Sequence, residues 1–175
     1  MNETGIILND RKLNEECGIF GIYSKDETID VARETYLALY ALQHRGQQSC
    51  GIAVNDRGVI SSYKELGLVP DVFTKKAFET LGQGQMAMGH CRYSTQGGVT
   101  RENAQPLVTR YIKGTLSIAH NGTLINAAAI RTEIEKQGAL FQTSNDAEVI
   151  LYVIAKERVK THNVEEAVLN MMSIV

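Results

Sequence analysis

Apolar positions in the first half of the chain come in short runs separated by glycine and polar clusters. C-G-I-F-G-I-Y, residues 17–23, reads as a buried strand. Over residues 28–43 the period lengthens. Ile29, Ala32, Tyr36, Leu39 and Tyr40 fall on one face at helical spacing, and His44-Arg45-Gly46 supplies a stop, with basic side chains in the last turn and glycine after it. Residues 49–54 and 59–65 are strand-like and flank a turn at Asn55-Asp56-Arg57-Gly58. Residues 86–92 and 115–120 predict two more strands. Helical patterns then take over. Residues 126–137 have Asn126 as N-cap and Gly138 as stop. Residues 145–159 have Asn145 as N-cap and Glu148 in the capping-box position. Asn163 caps a last helix with the stripe Val164, Ala167, Val168 and Met171. This order does not alternate as βαβ units would. It predicts an α+β protein of antiparallel sheets with segregated helices. The last stripe reaches Val175 in mid-pattern, so the chain is expected to be cut short there.

A length of 175 residues is enough for one domain with a real core. The net charge of −2, with 18 dispersed Lys and Arg, argues against a nucleic-acid surface or a polybasic membrane patch. No apolar run approaches a membrane span. The first sixteen residues hold no apolar run longer than Ile6-Ile7-Leu8, too short for a secretory signal, so a cytoplasmic location is expected. Cys17, Cys50 and Cys91 are far apart and form no C-x-x-C pair. They are expected to be free thiols, with no metal site.

Four stretches carry residues suited to chemistry. Cys17 follows Glu15-Glu16. A thiol nucleophile needs a base, and cleavage before Cys17 would give it a free α-amine of pKa ~7.7–8.0, fit to take and return a proton. Residues 1–16 would then be a blocking propeptide. The alternative is a small core residue. In G-H-C-R-Y-S-T-Q-G-G, Arg92 leaves a strand end beside hydroxyl side chains, and its fork suits a carboxylate. In A-H-N-G-T, Asn121 and Gly122 are either a tight hairpin turn or two donors sharing one target, an oxyanion hole. In T-S-N-D-A-E, Asp146 is either a helix-start acid or a partner for an ammonium group. An arginine for a carboxylate and an aspartate for an amine describe the head of an α-amino acid. A histidine-activated thiol, using His90 or His120, is a further possibility.

Taken together, E-E-C-G-I-F-G-I, L-Q-H-R-G-Q-Q-S-C-G-I, G-H-C-R-Y-S-T-Q-G, E-N-A-Q-P, A-H-N-G-T-L-I-N and S-N-D-A-E-V-I-L resemble the N-terminal glutaminase domain of the glutamine phosphoribosylpyrophosphate amidotransferases (amidophosphoribosyltransferases), from about Leu13 to the end of the chain. The resemblance implies an N-terminal-nucleophile hydrolase fold, a four-layer αββα stack with two antiparallel sheets. It implies that residues 1–16 are a propeptide and 17–175 an incomplete glutaminase domain. By the same resemblance Cys17 is the nucleophile and Asn121 and Gly122 the oxyanion hole. Arg92 and Thr95 hold the glutamine carboxylate, Asp146 holds the α-amine, and Arg45 and Gly46 form a turn against the catalytic cysteine. His44, His90 and His120 are read as structural. The implied activity is release of ammonia from glutamine through a Cys17 thioester, feeding phosphoribosylamine formation in the first step of purine biosynthesis. In the family, phosphoribosyl pyrophosphate with Mg²⁺, and in some members an iron–sulfur cluster, bind through segments downstream of this region. Members form homo-oligomers. A glutaminase domain of another class II amidotransferase and an inactive unprocessed fragment remain as alternatives.

Overall fold

The structure is a computed structural model that describes residues 17–93 and 98–175. The proposed propeptide and Thr95 lie outside the described residues. Among the described residues six strands form in chain order: β1 (Gly18–Tyr23), β2 (Ser49–Asp56), β3 (Val59–Leu66), β4 (Met86–Arg92), β5 (Leu107–Tyr111) and β6 (Gly114–Ile118). Six helices accompany them: α1 (Val31–Leu42), α2 (Val69–Val72), α3 (Lys75–Leu81), α4 (Ala127–Lys136), α5 (Asp146–Lys160) and α6 (Val164–Met172). The four-stranded sheet runs β1-β4-β2-β3 and the second pairs β5 with β6; every pairing is antiparallel.

The layers follow from which faces are apolar. Helices α1, α2 and α3 cover one face of the larger sheet, and Val31, Leu39, Ile52, Val69, Leu81 and Cys91 fill the space between. The other face meets the small sheet, where Ser117 of β6 touches Met88 of β4. Beyond β5 and β6 lies α5, and the α4–α6 group closes a second core around Ile150, Val153 and Met171. This is the expected αββα stack.

Several local expectations shift. The first strand is an edge strand, not a buried one: burial alternates along it, and Ile19 and Tyr23 are exposed. Helix α1 starts later than its apolar pattern, because Asp26 takes up Thr28 and Asp30 caps Arg33. Its buried face is Val31, Ala32, Thr35 and Leu39, while Tyr40 is exposed. Gly46 is not a left-handed cap, as its φ is −152°. It is required because a Cβ there would stand 2.6 Å from the Cys91 carbonyl. The β2–β3 turn needs Gly58, whose φ is +95° after Arg57 at +50°. Asn126 places its amide on the Ile174 carbonyl rather than capping α4. Glu148 forms no capping box; its carboxylate accepts from the Gln142 and Thr143 N–H groups and the Thr143 hydroxyl.

Candidate active site

The register of the larger sheet builds the site. β1 pairs with β4 so that Gly18 faces Cys91, which sets Cys17 beside the end of β4 where Arg92 and Tyr93 emerge. The Tyr93 N–H donates to Cys17 Sγ at 3.3 Å, and the thiol reaches the Tyr93 carbonyl at 3.3 Å. The Cys17 carbonyl accepts from Asn121 Nδ2 at 2.6 Å and from Arg45 Nε at 3.4 Å. The thiol is half-buried, whereas Cys50 and Cys91 are fully buried. Burial pushes the Cys91 thiol up to about 12 and raises Cys50 as well, so both stay protonated and inert. Cys17 is thus the accessible thiol among the described residues.

Arg92 is 5% exposed, and its Nη1 donates to the Gly98 carbonyl at 3.2 Å. Burial lowers its pKa, and the proximity of Cys17 and Asp146 opposes that. The guanidinium remains charged at neutral pH. Asp146 opens α5, where Asn145 caps the helix through the Ala147 N–H. Asp146 Oδ2 accepts from the Leu124 N–H at 2.7 Å, and Oδ1 stands 3.9 Å from His120 Nδ1, beyond hydrogen-bond reach. Burial alone would raise Asp146; the His120 ring and the Leu124 and Ala147 N–H groups outweigh it and hold the carboxyl below its usual range. It is ionised at neutral pH and suited to an ammonium group.

Asn121-Gly122 is not a hairpin turn. The β5–β6 hairpin closes at Ile112-Lys113, between Tyr111 and Gly114, and Asn121 lies on the exit from β6. Gly122 takes φ +141° under the His120 ring, a backbone state that L side chains rarely adopt.

Cys17, Arg92, Gly122 and Asp146 line one cleft of about 530 Å³. Asn121 does not line it; its Nδ2 is tied to the carbonyl of Cys17, which does. Arg45 and Gly46 do not line it: Arg45 braces Cys17 from behind, and Gly46 lies against the backbone of Cys91 and Arg92. Gln105, Ser144 and Arg131 line the cleft without having been singled out from the sequence. Arg131 lies over Phe141 at 4.1 Å and pairs with Glu135 at 3.1 Å. Another cavity, of about 590 Å³ around Lys64, Arg101 and Glu148, holds none of the candidate residues.

His90 is wholly buried, and neither ring nitrogen has a hydrogen bond of good geometry. Burial pushes its pKa down to about 4; the nearby Asn121 side chain and His120 backbone offset this only in part. An imidazole that stays neutral beside Asn121 is not a base for Cys17, whose thiol contacts are to Tyr93. The shift has a stability consequence. The unfolded chain takes up a proton at His90 near its ordinary value of 6.5, the folded protein only near 4. Lowering the pH from about 6.5 to 4 should therefore remove stability, on the order of 3 kcal/mol from this group, with no contribution to the slope above that window. Thermal unfolding across this range checks it: replacing His90 with Gln should flatten the acid limb.

Among the described residues no three His, Cys, Asp or Glu side chains converge to hold a metal ion.

Comparison with known proteins places these features in a wider group. A family model described as a glutamine amidotransferase domain matches residues 75–167, just over half of the chain. The amidophosphoribosyltransferase of Methanocaldococcus jannaschii is 46% identical over 156 residues, covering 89% of this chain and 33% of that protein. Amidophosphoribosyltransferase 3, chloroplastic, of Arabidopsis thaliana is 43% identical over 152 residues, covering 87% of this chain and 28% of that protein. A solved structure described as the allosteric regulatory enzyme of purine biosynthesis superposes with a TM-score of 0.79 at 38% identity, over 89% of this chain and 32% of the other. The glutamine phosphoribosylpyrophosphate amidotransferase of B. subtilis, complexed with ADP and GMP, gives a TM-score of 0.74 at 35% identity, over 91% and 32%. The chain spans about a third of the length of the curated relatives it matches.

Proposed function

The chain belongs to the glutamine amidotransferase domain family, and from that premise we propose that its cleft hydrolyses glutamine to glutamate and ammonia through a thioester on Cys17. The observation that carries this reading is convergence: a half-buried thiol, a buried arginine and an ionised aspartate meet in one cleft from three separate parts of the chain, and an asparagine amide from a fourth is hydrogen-bonded to the carbonyl of the thiol residue. Arg92 receives the α-carboxylate, and Asp146 receives the α-ammonium. Bound by this head, the side-chain amide of glutamine points toward Cys17 Sγ.

As a mid-chain residue Cys17 has only an amide nitrogen, which cannot act as a base. Removal of residues 1–16 gives the α-amine that takes the thiol proton. Sulfur attacks the amide carbon, and the oxygen gathers charge against Asn121 Nδ2 and the Gly122 backbone. The Tyr93 N–H steadies the sulfur. Collapse of the intermediate breaks the C–N bond, and the α-amine returns its proton to the departing ammonia. Water then cleaves the thioester and regenerates the thiol.

In a longer protein, by analogy with the relatives, the ammonia serves phosphoribosylamine formation from phosphoribosyl pyrophosphate, with that substrate, its Mg²⁺, any iron–sulfur cluster and homo-oligomer contacts held outside this region. A reducing cytoplasmic setting suits a free-thiol nucleophile. The relatives' shared name favours this over another class II amidotransferase. The test of head-group recognition is Asp146→Asn in a glutamine-hydrolysis assay. Its KM for glutamine should rise by about tenfold to a hundredfold with kcat much less affected, because the ammonium contact is made equally before and during reaction. An unchanged KM would remove Asp146 from the site.

A further inference from the structure

The loop between β4 and β5 ends in E-N-A-Q-P, and the two amide side chains of this short run reach different partners. Asn103 is 4% exposed and Gln105 3%. Gln105 Oε1 accepts from the His120 N–H at 2.6 Å, and its Nε2 donates to the His120 carbonyl at 3.2 Å. Both backbone groups of the residue immediately before Asn121 are thereby fixed by one side chain. Asn103 has a separate set of partners. Its Nδ2 donates to the Gly98 carbonyl and to Ser144 Oγ, each at 3.0 Å, and its Oδ1 accepts from the Ser144 N–H at 3.0 Å. The Asn103 carbonyl accepts from Asn145 Nδ2 at 3.3 Å. Ser144 and Asn145 lead directly into Asp146. The Gly98 carbonyl that Asn103 holds is also the acceptor for Arg92 Nη1.

The run is itself anchored to the larger sheet. Lys64 Nζ donates to the carbonyls of Glu102, at 3.1 Å, and Ala104, at 2.6 Å, on either side of Asn103. The Gln105 carbonyl lies so close to β2 that a Cβ on Gly51 would be 2.4 Å from it. A primary amide is suited to both tasks because it donates and accepts at once; a carboxylate of the same shape only accepts. Resting on the glutamine reading of the cleft, we infer that Asn103 and Gln105 are positioning residues with divided roles. Asn103 sets the spacing of Arg92 and Asp146, the groups that grip the substrate head. Gln105 sets the orientation of the Asn121-Gly122 turn, which faces the charge that develops in reaction.

The divided roles predict divided kinetics. Head contacts exist before and during reaction, so disturbing them raises KM; contacts to the developing oxyanion act in the transition state, so disturbing them lowers kcat. The experiment is steady-state glutamine hydrolysis in the intact protein with Cys17 as its N-terminus, comparing wild type with Asn103→Leu and Gln105→Met. Asn103→Leu should raise KM by about tenfold or more with kcat within about threefold. Gln105→Met should lower kcat by about tenfold or more with KM within about threefold. Alkylation of Cys17 by iodoacetamide at the wild-type rate in both shows that the thiol and its surroundings persist. If either variant fails to fold, Asn103→Asp and Gln105→Glu keep the accepting oxygen and lose the donor, and the same split should appear. Both positions changing the same constant, or neither changing any, overturns the inference. A wild-type protein that does not hydrolyse glutamine overturns the functional reading instead.

Discussion

Replacing Cys17 with Ala should abolish glutamine hydrolysis, with kcat falling by on the order of 10⁴-fold or more, the scale seen when an enzyme loses its nucleophile. The expectation rests on the accessibility of the thiols. Cys50 and Cys91 are sealed in the core and held protonated, so neither can substitute. Glutamine binding should survive, because Arg92 and Asp146 are held by Gly98, Leu124 and the start of α5 rather than by the sulfur. The measurement is turnover together with calorimetric glutamine binding, both on protein beginning at residue 17, so that leader removal is not a variable. Binding without turnover is the predicted pattern. Undiminished turnover would remove the thioester from the mechanism.

The second large effect is expected at Asn121. Asn121→Ala should lower kcat by ~10²–10³-fold, the usual cost of one oxyanion donor, with KM for glutamine little changed. The Asn121 amide lies 2.6 Å from the Cys17 carbonyl, so it is already tied to the residue that attacks. Asn121→Asp should be at least as damaging, since it replaces the donor by an oxygen that repels the developing charge. A loss expressed in KM alone would make Asn121 a ground-state contact.

Much of the site was legible because its parts are chemically distinctive. A cysteine after a short leader, an arginine at a strand end, Asn-Gly beyond a strand and Asp in a helix's first turn each have few common uses, and their order carried the resemblance. The fold shows them meeting across 76 residues between Cys17 and Tyr93 and 104 between Cys17 and Asn121. What remained hidden was what holds them. Asn103 and Gln105 are ordinary loop amides until their partners at Gly98, His120, Ser144 and Asn145 are known. The signal available was two amides flanking one alanine ahead of a proline, in a long loop between strands. Gly46 illustrates the same limit. Its position after a helix read as a simple stop, but the extended φ and the Cys91 carbonyl at 2.6 Å from a built Cβ show that close packing demands it.

The secondary structure shows a parallel division. Strands with clear alternation or long apolar runs were found to within a few residues. The short helices α2 and α3 were not, since each is shorter than the window that a helical periodicity needs, and β5 was missed as well. The edge position of β1 could not be read locally either. An apolar run looks the same whether a sheet covers it on both sides or one, and only the pairing order β1-β4-β2-β3 decides.

As an N-terminal nucleophile, Cys17 should carry a glutamyl thioester during turnover. Intact-mass and peptide mass spectrometry of protein acid-quenched during glutamine turnover tests it in one step. The expected result is a chain beginning at Cys17 with one glutamyl group attached to that residue. Turnover by a chain that still begins at Met1, or a glutamyl group attached anywhere else, would contradict it.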